Sequence, residues 1–197
     1  MMIDKANPHK FDPAWKANLD RPERRQLDPE QVLDSLPLKP TDQVADVGAG
    51  TGFFTIPLAQ RLSGGKVLAL DISPEMLASL QEKVTRAGVV NVEAALCGEA
   101  DFPVAPGSLD GVVLFFVLHE AAERPTFLKA VKSLLKPGGW AALMDWEARA
   151  GPSSPPGPPL RVRVPPEEAR RLAAGSGFRV CAERSMGPDY YMLLMEG

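Results

Sequence analysis

The chain has 197 residues, of which 45% are apolar and 24% charged, and its formal net charge is −3 with a pI near 5.5. This length suits one domain with a sizeable core, and the acidic balance gives no general attraction to nucleic acid or anionic membranes. The two cysteines, Cys97 and Cys181, lie far apart without metal-site spacing. With no recognisable signal peptide or spanning apolar run, we expect a reduced, cytoplasmic protein without a metal.

The first 40 residues are polar, and Pro8, Pro13, Pro22 and Pro29 interrupt any long helix. Asp28 is a good N-cap, and a short helix is predicted from there to about Leu36. We divide the chain into an arm, residues 1–28, and a single domain, residues 29–197. The arm either lies on the sheet edge or forms a lid over the site.

A short apolar strand ending in Val47 leads into a loop with glycine at every second position, Gly48, Gly50 and Gly52. A helix follows the loop. Glycine is required where the backbone adopts positive φ or lies directly against a ligand. A glycine loop between a strand and a helix predicts a nucleotide site at the carboxyl edge of a parallel sheet.

The spacing of this loop favours one kind of nucleotide. A dinucleotide fingerprint is G-x-G-x-x-G/A, whereas this loop is G-x-G-x-G and continues with Phe53 where a small residue is required. Asp46 precedes the first glycine by two residues. A carboxylate at this position would repel a pyrophosphate but would attract an ammonium or a sulfonium.

The second strand, Lys66–Leu70, ends in Asp71. A carboxylate at this position can accept both hydrogen bonds of a ribose diol. Ser73 is a plausible N-cap and Pro74 suits the first turn of a helix predicted over 74–87. The third strand is predicted over Asn91–Ala95.

Asp46 and the glycine loop resemble motif I of the class I S-adenosylmethionine (SAM) methyltransferases. The segment D-x-S-x-x-M-L that begins at Asp71 resembles the same family. The resemblance implies that Asp46 faces the methionine half of the cofactor and that Ile72 and Met76 flank the adenine. The loop after the third strand is similar to the family's G-D-A, with Glu99 in the acidic position and Asp101 as the other candidate. The implied cofactor-binding residues are Asp46, Gly48, Ala49, Gly50, Gly52, Asp71, Ile72, Met76, Glu99, Ala100 and Phe116.

The rest of the chain continues the alternation of strands and helices. In order, we predict a buried strand over 109–116, a helix over 122–135, a turn at 136–139, a strand over 140–144, an extended proline-rich loop over 151–159, a helix from 165 to about 175, and strands over 178–184 and 190–196. The L-H and L-K-P-G-G segments resemble the branch that includes the ubiquinone/menaquinone methyltransferases. The expected fold is α/β: a Rossmann-like, doubly wound, seven-stranded, mostly parallel sheet whose last strand pair is antiparallel.

Methyl transfer from a sulfonium mainly requires alignment of donor and acceptor and exclusion of water. A base is needed only when the acceptor arrives protonated, and His119, just past the fourth strand, is the candidate. The alternative is that His119 only forms part of the pocket wall. Asp145, Trp146 and Glu147 end the fifth strand at the same edge and are candidates to orient a substrate. At most one of the adjacent residues Tyr190 and Tyr191 faces the site.

The expected function is methyl transfer from SAM to a small molecule, with S-adenosylhomocysteine as product. The Asn/Asp-Pro-Pro-Tyr motif of nucleic-acid amino-methyltransferases is missing, and residues 116–119 stand in its place. We therefore expect no nucleic-acid or membrane partner; the oligomeric state is not predicted. Two alternatives stay open, a nicotinamide-dependent oxidoreductase and a SAM-binding protein without catalysis.

Overall fold

A computed structural model of the chain describes residues 27–149 and 157–197. The helices are α1 (Pro29–Asp34), α2 (Thr55–Arg61), α3 (Pro74–Ala87), α4 (Arg124–Leu134) and α5 (Pro166–Gly175). The strands are β1 (Gln43–Val47), β2 (Lys66–Asp71), β3 (Val92–Leu96), β4 (Leu109–Phe115), β5 (Leu135–Trp146), β6 (Arg179–Ser185) and β7 (Tyr190–Glu196). Within these ranges no helix has the length and apolarity needed to span a membrane. Nearly all of the predicted arm lies outside the described residues.

The seven strands form one sheet in the order β3-β2-β1-β4-β5-β7-β6. The first five strands in this order are parallel, and β7 is antiparallel to both of its neighbours. This arrangement confirms the predicted Rossmann-like sheet. After β1 the chain forms β2 and β3 on one side of that strand, and it then forms β4 on the other side. The direction in which successive strands are added therefore reverses between β1 and β4. Ligands of such sheets bind at the carboxyl ends of the strands near this reversal.

Helices cover both faces of the sheet. Val44 of β1 packs with α1 and α2, whereas the next residue, Ala45, packs with α4 and α5. Helix α3 covers Ala69 of β2 on the α2 side. Neighbouring residues of a strand point to opposite faces, so a strand covered on both sides needs an unbroken run of apolar residues. The central strands of the sheet are therefore buried on both faces, and polar side chains can reach a ligand at their carboxyl edge.

The helix ends follow the local sequence. The Asp28 side chain accepts a 3.0 Å hydrogen bond from the backbone N–H of Glu30 at the start of α1. Ser73 accepts one of 3.2 Å from the backbone N–H of Met76 at the start of α3, which ends at Gly88 with φ +68°. Side-chain oxygens satisfy N–H groups that have no partner within the helix, and glycine adopts the left-handed conformation that ends it. These caps place the start of α3 directly after Asp71.

The turn predicted at Lys136–Gly139 is instead part of β5. Leu109 pairs with Leu135, and the next pair along the two strands is Gly111 with Trp140. The residues between them therefore form an irregularity in a continuing strand rather than a connection between two elements. The prediction was wrong because a local glycine-proline signal cannot show that both flanks pair with the same neighbouring strand.

Gly111 has no room for a side chain, because an added Cβ would lie 2.3 Å from the Trp140 ring. We predict that Gly111→Ala lowers the free energy of unfolding by about 1–3 kcal/mol, the usual cost of overpacking. Gly175→Ala is the matched control, since nothing lies within 4 Å of an added Cβ there. Urea unfolding followed by circular dichroism measures both variants. Equal stability of Gly111→Ala and the parent protein would contradict this packing.

Candidate active site

A cavity of about 400 Å³ opens at the carboxyl edge of the sheet, where β1 and β4 are neighbours. Its wall combines the glycine loop after β1, the end of β2, the loop after β3, the turn after β4, the end of β5 and the start of β7. This is the position that the reversal of strand order favours for ligand binding. The site is therefore assembled by the sheet, which brings distant segments of the chain to one edge.

The glycine loop is folded back onto the end of β2. Gly48, Gly50 and Gly52 all have positive φ, at +74°, +54° and +88°. The backbone N–H groups of Gly48 and Ala49 donate to the carbonyl of Leu70, at 2.7 and 3.0 Å. Only glycine adopts such angles without steric cost. The spacing of the three glycines thus sets the path of the loop.

Asp71 fastens this loop to the start of α3. One carboxylate oxygen accepts a 2.8 Å hydrogen bond from the N–H of Gly50, and the other accepts a 2.9 Å bond from the N–H of Ser73. Burial raises the pKa of Asp71 above its usual value, although these backbone donors oppose the shift. A carboxylate has about four lone-pair sites, so Asp71 keeps acceptor capacity for a ligand beside the backbone N–H groups of Gly50, Ser73 and Ile72.

Asp46 is a buried carboxyl at the end of β1. Its side chain is 3% exposed and accepts a 2.6 Å hydrogen bond from the Thr55 hydroxyl. The pKa of Asp46 is raised to about 6, chiefly by burial; the charge of Asp71 also raises it, and the Thr55 hydrogen bond opposes the shift. A cationic group in the cavity would favour the ionised carboxylate and bring this pKa down.

Glu99, in the loop after β3, lines the cavity and also supports the segment before α4. Its carboxylate accepts a 2.8 Å hydrogen bond from the N–H of Ala122. Helix α4 begins at Arg124, two residues later than predicted. Asp101, the other acidic candidate of this loop, is exposed and is not part of the cavity wall.

The structure brings ten of the sequence-predicted site residues to the cavity wall: Asp46, Gly48, Ala49, Gly50, Asp71, Ile72, Met76, Glu99, Phe116 and His119. Gly52 and Ala100 are not part of this wall. A Cβ added to Gly52 would lie 3.2 Å from Leu80 of α3, so this glycine serves the packing of the loop against a helix. The motif correctly selected the loop but did not distinguish the residues facing the cavity from those facing the core.

His119 is held by Asp145 through two hydrogen bonds. Its backbone N–H lies 3.1 Å from Oδ2, and its ring Nδ1 lies 2.7 Å from Oδ1 of the same carboxylate. Asp145 is fully buried, and its Oδ1 also accepts a bond from the N–H of Trp146. Asp145 is therefore a partner of His119, not a cavity-facing group that orients a substrate.

This pairing changes the acidity of His119. Burial by itself lowers the pKa of His119, but the charge and hydrogen bond of Asp145, together with the charge of Glu120, overcome that effect and leave the pKa above its usual value. The other ring nitrogen, Nε2, lies 3.7 Å from Oε1 of Glu120, which also lines the cavity. A carboxylate that fixes one ring nitrogen leaves the other free to exchange a proton at the cavity.

Three aromatic rings form another part of the wall. The ring centroids of Trp146 and Tyr190 are 4.9 Å apart, and Phe116 lies 5.3 Å from Tyr190 and 5.8 Å from Trp146. Phe116 has φ +63°, which is rare for a bulky residue and is typical of a strained functional position. The resemblance implied a cofactor role for Phe116, and the structure shows it in contact with this aromatic group.

The sequence named each ring of this wall as a separate candidate, but it did not predict that the three rings contact one another. Tyr190 faces the cavity, whereas the hydroxyl of Tyr191 donates to the carbonyl of Val164 on the opposite side of the sheet. This confirms that only one of the two tyrosines faces the site. Glu147 is not part of the wall, and its N–H donates to the carbonyl of Asp189. Apolar wall residues that the sequence reasoning missed include Leu27, Phe53, Phe54, Phe102, Phe115, Val117, Ala121, Phe127, Pro158 and Val162.

The chain is similar to known methyltransferases. A family model described as a methyltransferase domain matches residues 44–139. The crystal structure of a SAM-dependent methyltransferase from Aquifex aeolicus is 32% identical, with a TM-score of 0.89 over 95% of this chain and 99% of that chain. The match therefore extends over nearly the full length of both chains.

Two curated relatives match over shorter stretches. The biotin biosynthesis bifunctional protein BioHC of Cellvibrio japonicus is 36% identical over 113 residues, which are 56% of this chain and 21% of that protein. The ubiquinone/menaquinone biosynthesis C-methyltransferase UbiE of Geotalea daltonii is 31% identical over 111 residues, or 54% of this chain and 46% of that protein. The chain thus spans less than half the length of these two relatives.

The predicted family is confirmed by the fold, the glycine loop and the full-length match to a solved methyltransferase. The residues matched by the family model run from β1 to the irregularity within β5, and they include the acidic and glycine-rich walls of the cavity. The chain belongs to the class I SAM-dependent methyltransferases.

Proposed function

We propose that this chain transfers a methyl group from SAM to a small-molecule acceptor bound in the same cavity. The observation that carries the proposal is the order of side chains along the sheet edge. Asp71 and Asp46 end β2 and β1, His119 follows β4, and Trp146 and Tyr190 come from β5 and β7. A polar, acidic half thus adjoins an aromatic half within one cavity.

The acidic half fits SAM. A Cβ on Gly48 would lie 2.6 Å from Val117, so the bare glycine lets the loop lie close to the turn after β4. The Asp71 carboxylate has capacity left for a ribose diol, and the buried Asp46 carboxyl suits a cationic group. SAM supplies an activated methyl group on a sulfonium when bound. We assign Asp71 to the ribose and Asp46 to the methionine half.

The aromatic half suits an acceptor with apolar surface. Phe116, Trp146 and Tyr190 exclude water, and they contact one another closely enough to form a fixed wall. In methyl transfer the protein mainly aligns donor and acceptor and keeps water out. We assign the binding and orientation of the acceptor to this wall.

We assign the role of general base to His119 for an acceptor that arrives protonated. Asp145 fixes the ring through Nδ1 and stabilises the charged form that arises when the ring takes a proton. His119 lines the cavity, where a bound acceptor would be within reach of its Nε2 atom. The competing assignment, a wall residue without proton transfer, makes different predictions for rate and pH.

A nicotinamide-dependent oxidoreductase is less compatible with this site. Phe53 lines the cavity in place of the small third residue of a dinucleotide loop, and the buried Asp46 would oppose a pyrophosphate. A SAM-binding protein without catalysis would have the same SAM-binding half of the cavity and would differ only in producing no methylated product.

The decisive experiment incubates the chain with SAM and fractionated cell extract and measures S-adenosylhomocysteine and the methylated product. Binding of SAM without product in any fraction would contradict methyl transfer.

The first prediction concerns Asp71. Asp71→Ala removes the proposed ribose contact and loosens the loop at Gly50, so SAM should bind with about 10- to 100-fold lower affinity, as expected for hydrogen bonds to a charged group. Asp101→Ala is the matched control, since that acid is exposed and not on the wall. Isothermal titration calorimetry measures both affinities. Unchanged affinity in Asp71→Ala would remove Asp71 from the binding site.

The second prediction concerns pH. Because the pKa of Asp46 is about 6 in the protein without a ligand, binding of a cation must displace a proton from Asp46 below that pH. The affinity for SAM should therefore rise by up to about tenfold between pH 5 and pH 7 and then level off. Asp46→Asn should abolish this dependence. Titrations in two buffers with different ionisation enthalpies measure the proton release directly, and an absence of proton release at pH 5 would contradict the assignment.

The third prediction concerns His119. If His119 is the base, His119→Asn should lower turnover about 100-fold while leaving SAM affinity unchanged. The rate of the parent enzyme should rise with pH through a value above that of an ordinary histidine, because the pKa of His119 is raised and the base must be neutral. His9→Asn, in the predicted arm, is the matched control. A fully active His119→Asn with an unaltered pH profile would leave His119 as a wall residue.

A further inference from the structure

Arg163 is a buried arginine that joins two separate segments of the chain. It follows a single 3-10 turn, Leu160–Val162, and is 8% exposed. Its Nε donates to the carbonyl of Pro158 at 3.0 Å, and its Nη1 donates to the carbonyls of Glu147 and Arg149, each at 3.0 Å. One guanidinium therefore fixes the backbone just after β5 to the backbone just before the 3-10 turn.

The same guanidinium lies against the aromatic wall. Its central carbon is 4.9 Å from the centroid of the Trp146 ring. The backbone at Gly157 also lies close to this ring, since an added Cβ would be 2.6 Å from it. Pro158 and Val162 line the cavity beside Trp146. Arg163 thus contacts the indole and holds the backbone of the segment that borders it.

Burying the Arg163 guanidinium in this position costs free energy of desolvation. A buried cation loses hydration, and burial lowers the pKa of Arg163, although the charges of Asp189 and Asp145 oppose that shift. An apolar residue would avoid this cost but could not bond three backbone carbonyls on two segments. Lysine also lacks the required shape, because an ammonium has neither the planar fork nor a flat face to stack on an indole.

We propose that Arg163 is a positioning residue for the acceptor: it fixes residues 157–163 and Trp146 relative to one another and so sets the shape of the aromatic half of the cavity. The inference rests on the proposed function, which assigns this half to the acceptor. Arg163 itself is not part of the cavity wall and acts through Trp146, Pro158 and Val162. The SAM half, built on β1 and β2, does not contact Arg163 in the described hydrogen bonds.

The test compares Arg163→Lys with Arg161→Lys, an exposed arginine on the same 3-10 turn. Both are made in a protein whose other tryptophans, Trp15 and Trp140, are replaced by phenylalanine, so that fluorescence reports Trp146 alone. In the parent, Trp146 is 2% exposed and should be poorly quenched by acrylamide. Arg163→Lys should shift its emission to longer wavelength and increase quenching, whereas Arg161→Lys should change neither.

The same variants are assayed for function with the extract fraction that yields methylated product. Arg163→Lys should lower kcat/KM for the acceptor by on the order of 10- to 100-fold, as expected when a reactant is misplaced by about 1 Å. The affinity for S-adenosylhomocysteine, measured calorimetrically, should stay within about twofold of the parent value, well below the change that one lost hydrogen bond produces. This split between acceptor and cofactor distinguishes positioning from a general loss of stability.

Gly157→Ala gives a second test that leaves Arg163 in place. The new methyl group would push the backbone off the Trp146 ring, so the same loss of acceptor kcat/KM is expected with unchanged S-adenosylhomocysteine affinity. Gly175→Ala, where an added Cβ meets nothing, is the control.

Four outcomes separate the claims. Parent-like quenching in Arg163→Lys overturns the inference. An unaltered acceptor kcat/KM in both Arg163→Lys and Gly157→Ala also overturns it. A loss of S-adenosylhomocysteine affinity in these variants as large as the loss of acceptor kcat/KM overturns it too. Failure of the parent protein to bind S-adenosylhomocysteine contradicts the proposed function instead.

Discussion

The site depends on one carboxylate, that of Asp71. Its two oxygens accept hydrogen bonds from the N–H groups of Gly50 and Ser73, and so connect the glycine loop after β1 to the start of α3. A buried carboxylate is costly unless it is hydrogen-bonded, and these backbone donors reduce that cost while fixing the loop. In the proposed complex the same carboxylate also accepts the ribose hydroxyls. Cofactor binding and the conformation of the loop are therefore coupled through a single side chain.

The strand order explains how one small cavity can serve two different ligands. Acidic groups end β2 and β1, and aromatic groups come from the turn after β4, from β5 and from β7, so the chemical character of the wall changes along the sheet edge. His119 follows β4, and Asp145 on the neighbouring strand orients it. A cation is favoured in the first half and apolar surface in the second. In the proposed function, this polarity brings a charged donor and an apolar acceptor together with water excluded.

The sequence predicted those parts of the site that short stretches of chain determine. The glycine loop and the Ser73 cap depend on neighbouring residues, and the strand alternation follows from local apolar runs. The pairing of His119 with Asp145 was not predicted, because the two residues are 26 positions apart and meet only when β4 and β5 are paired. The contact between the rings of the aromatic wall was not predicted for the same reason, since Tyr190 reaches Trp146 only because β7 lies beside β5. Gly52 matched the motif, yet its contact with Leu80 of α3 depends on helix packing that the loop sequence does not encode.

The most direct test of this account is a crystal structure of the chain with S-adenosylhomocysteine bound. We expect the ribose hydroxyls to lie within hydrogen-bond distance, about 2.6–3.2 Å, of the Asp71 carboxylate, with the Gly50 and Ser73 contacts retained. We also expect the amino group to lie on the Asp46 side and the sulfur to face the aromatic half. The account would be contradicted by a ligand bound away from the glycine loop, or by one whose ribose makes no contact with Asp71.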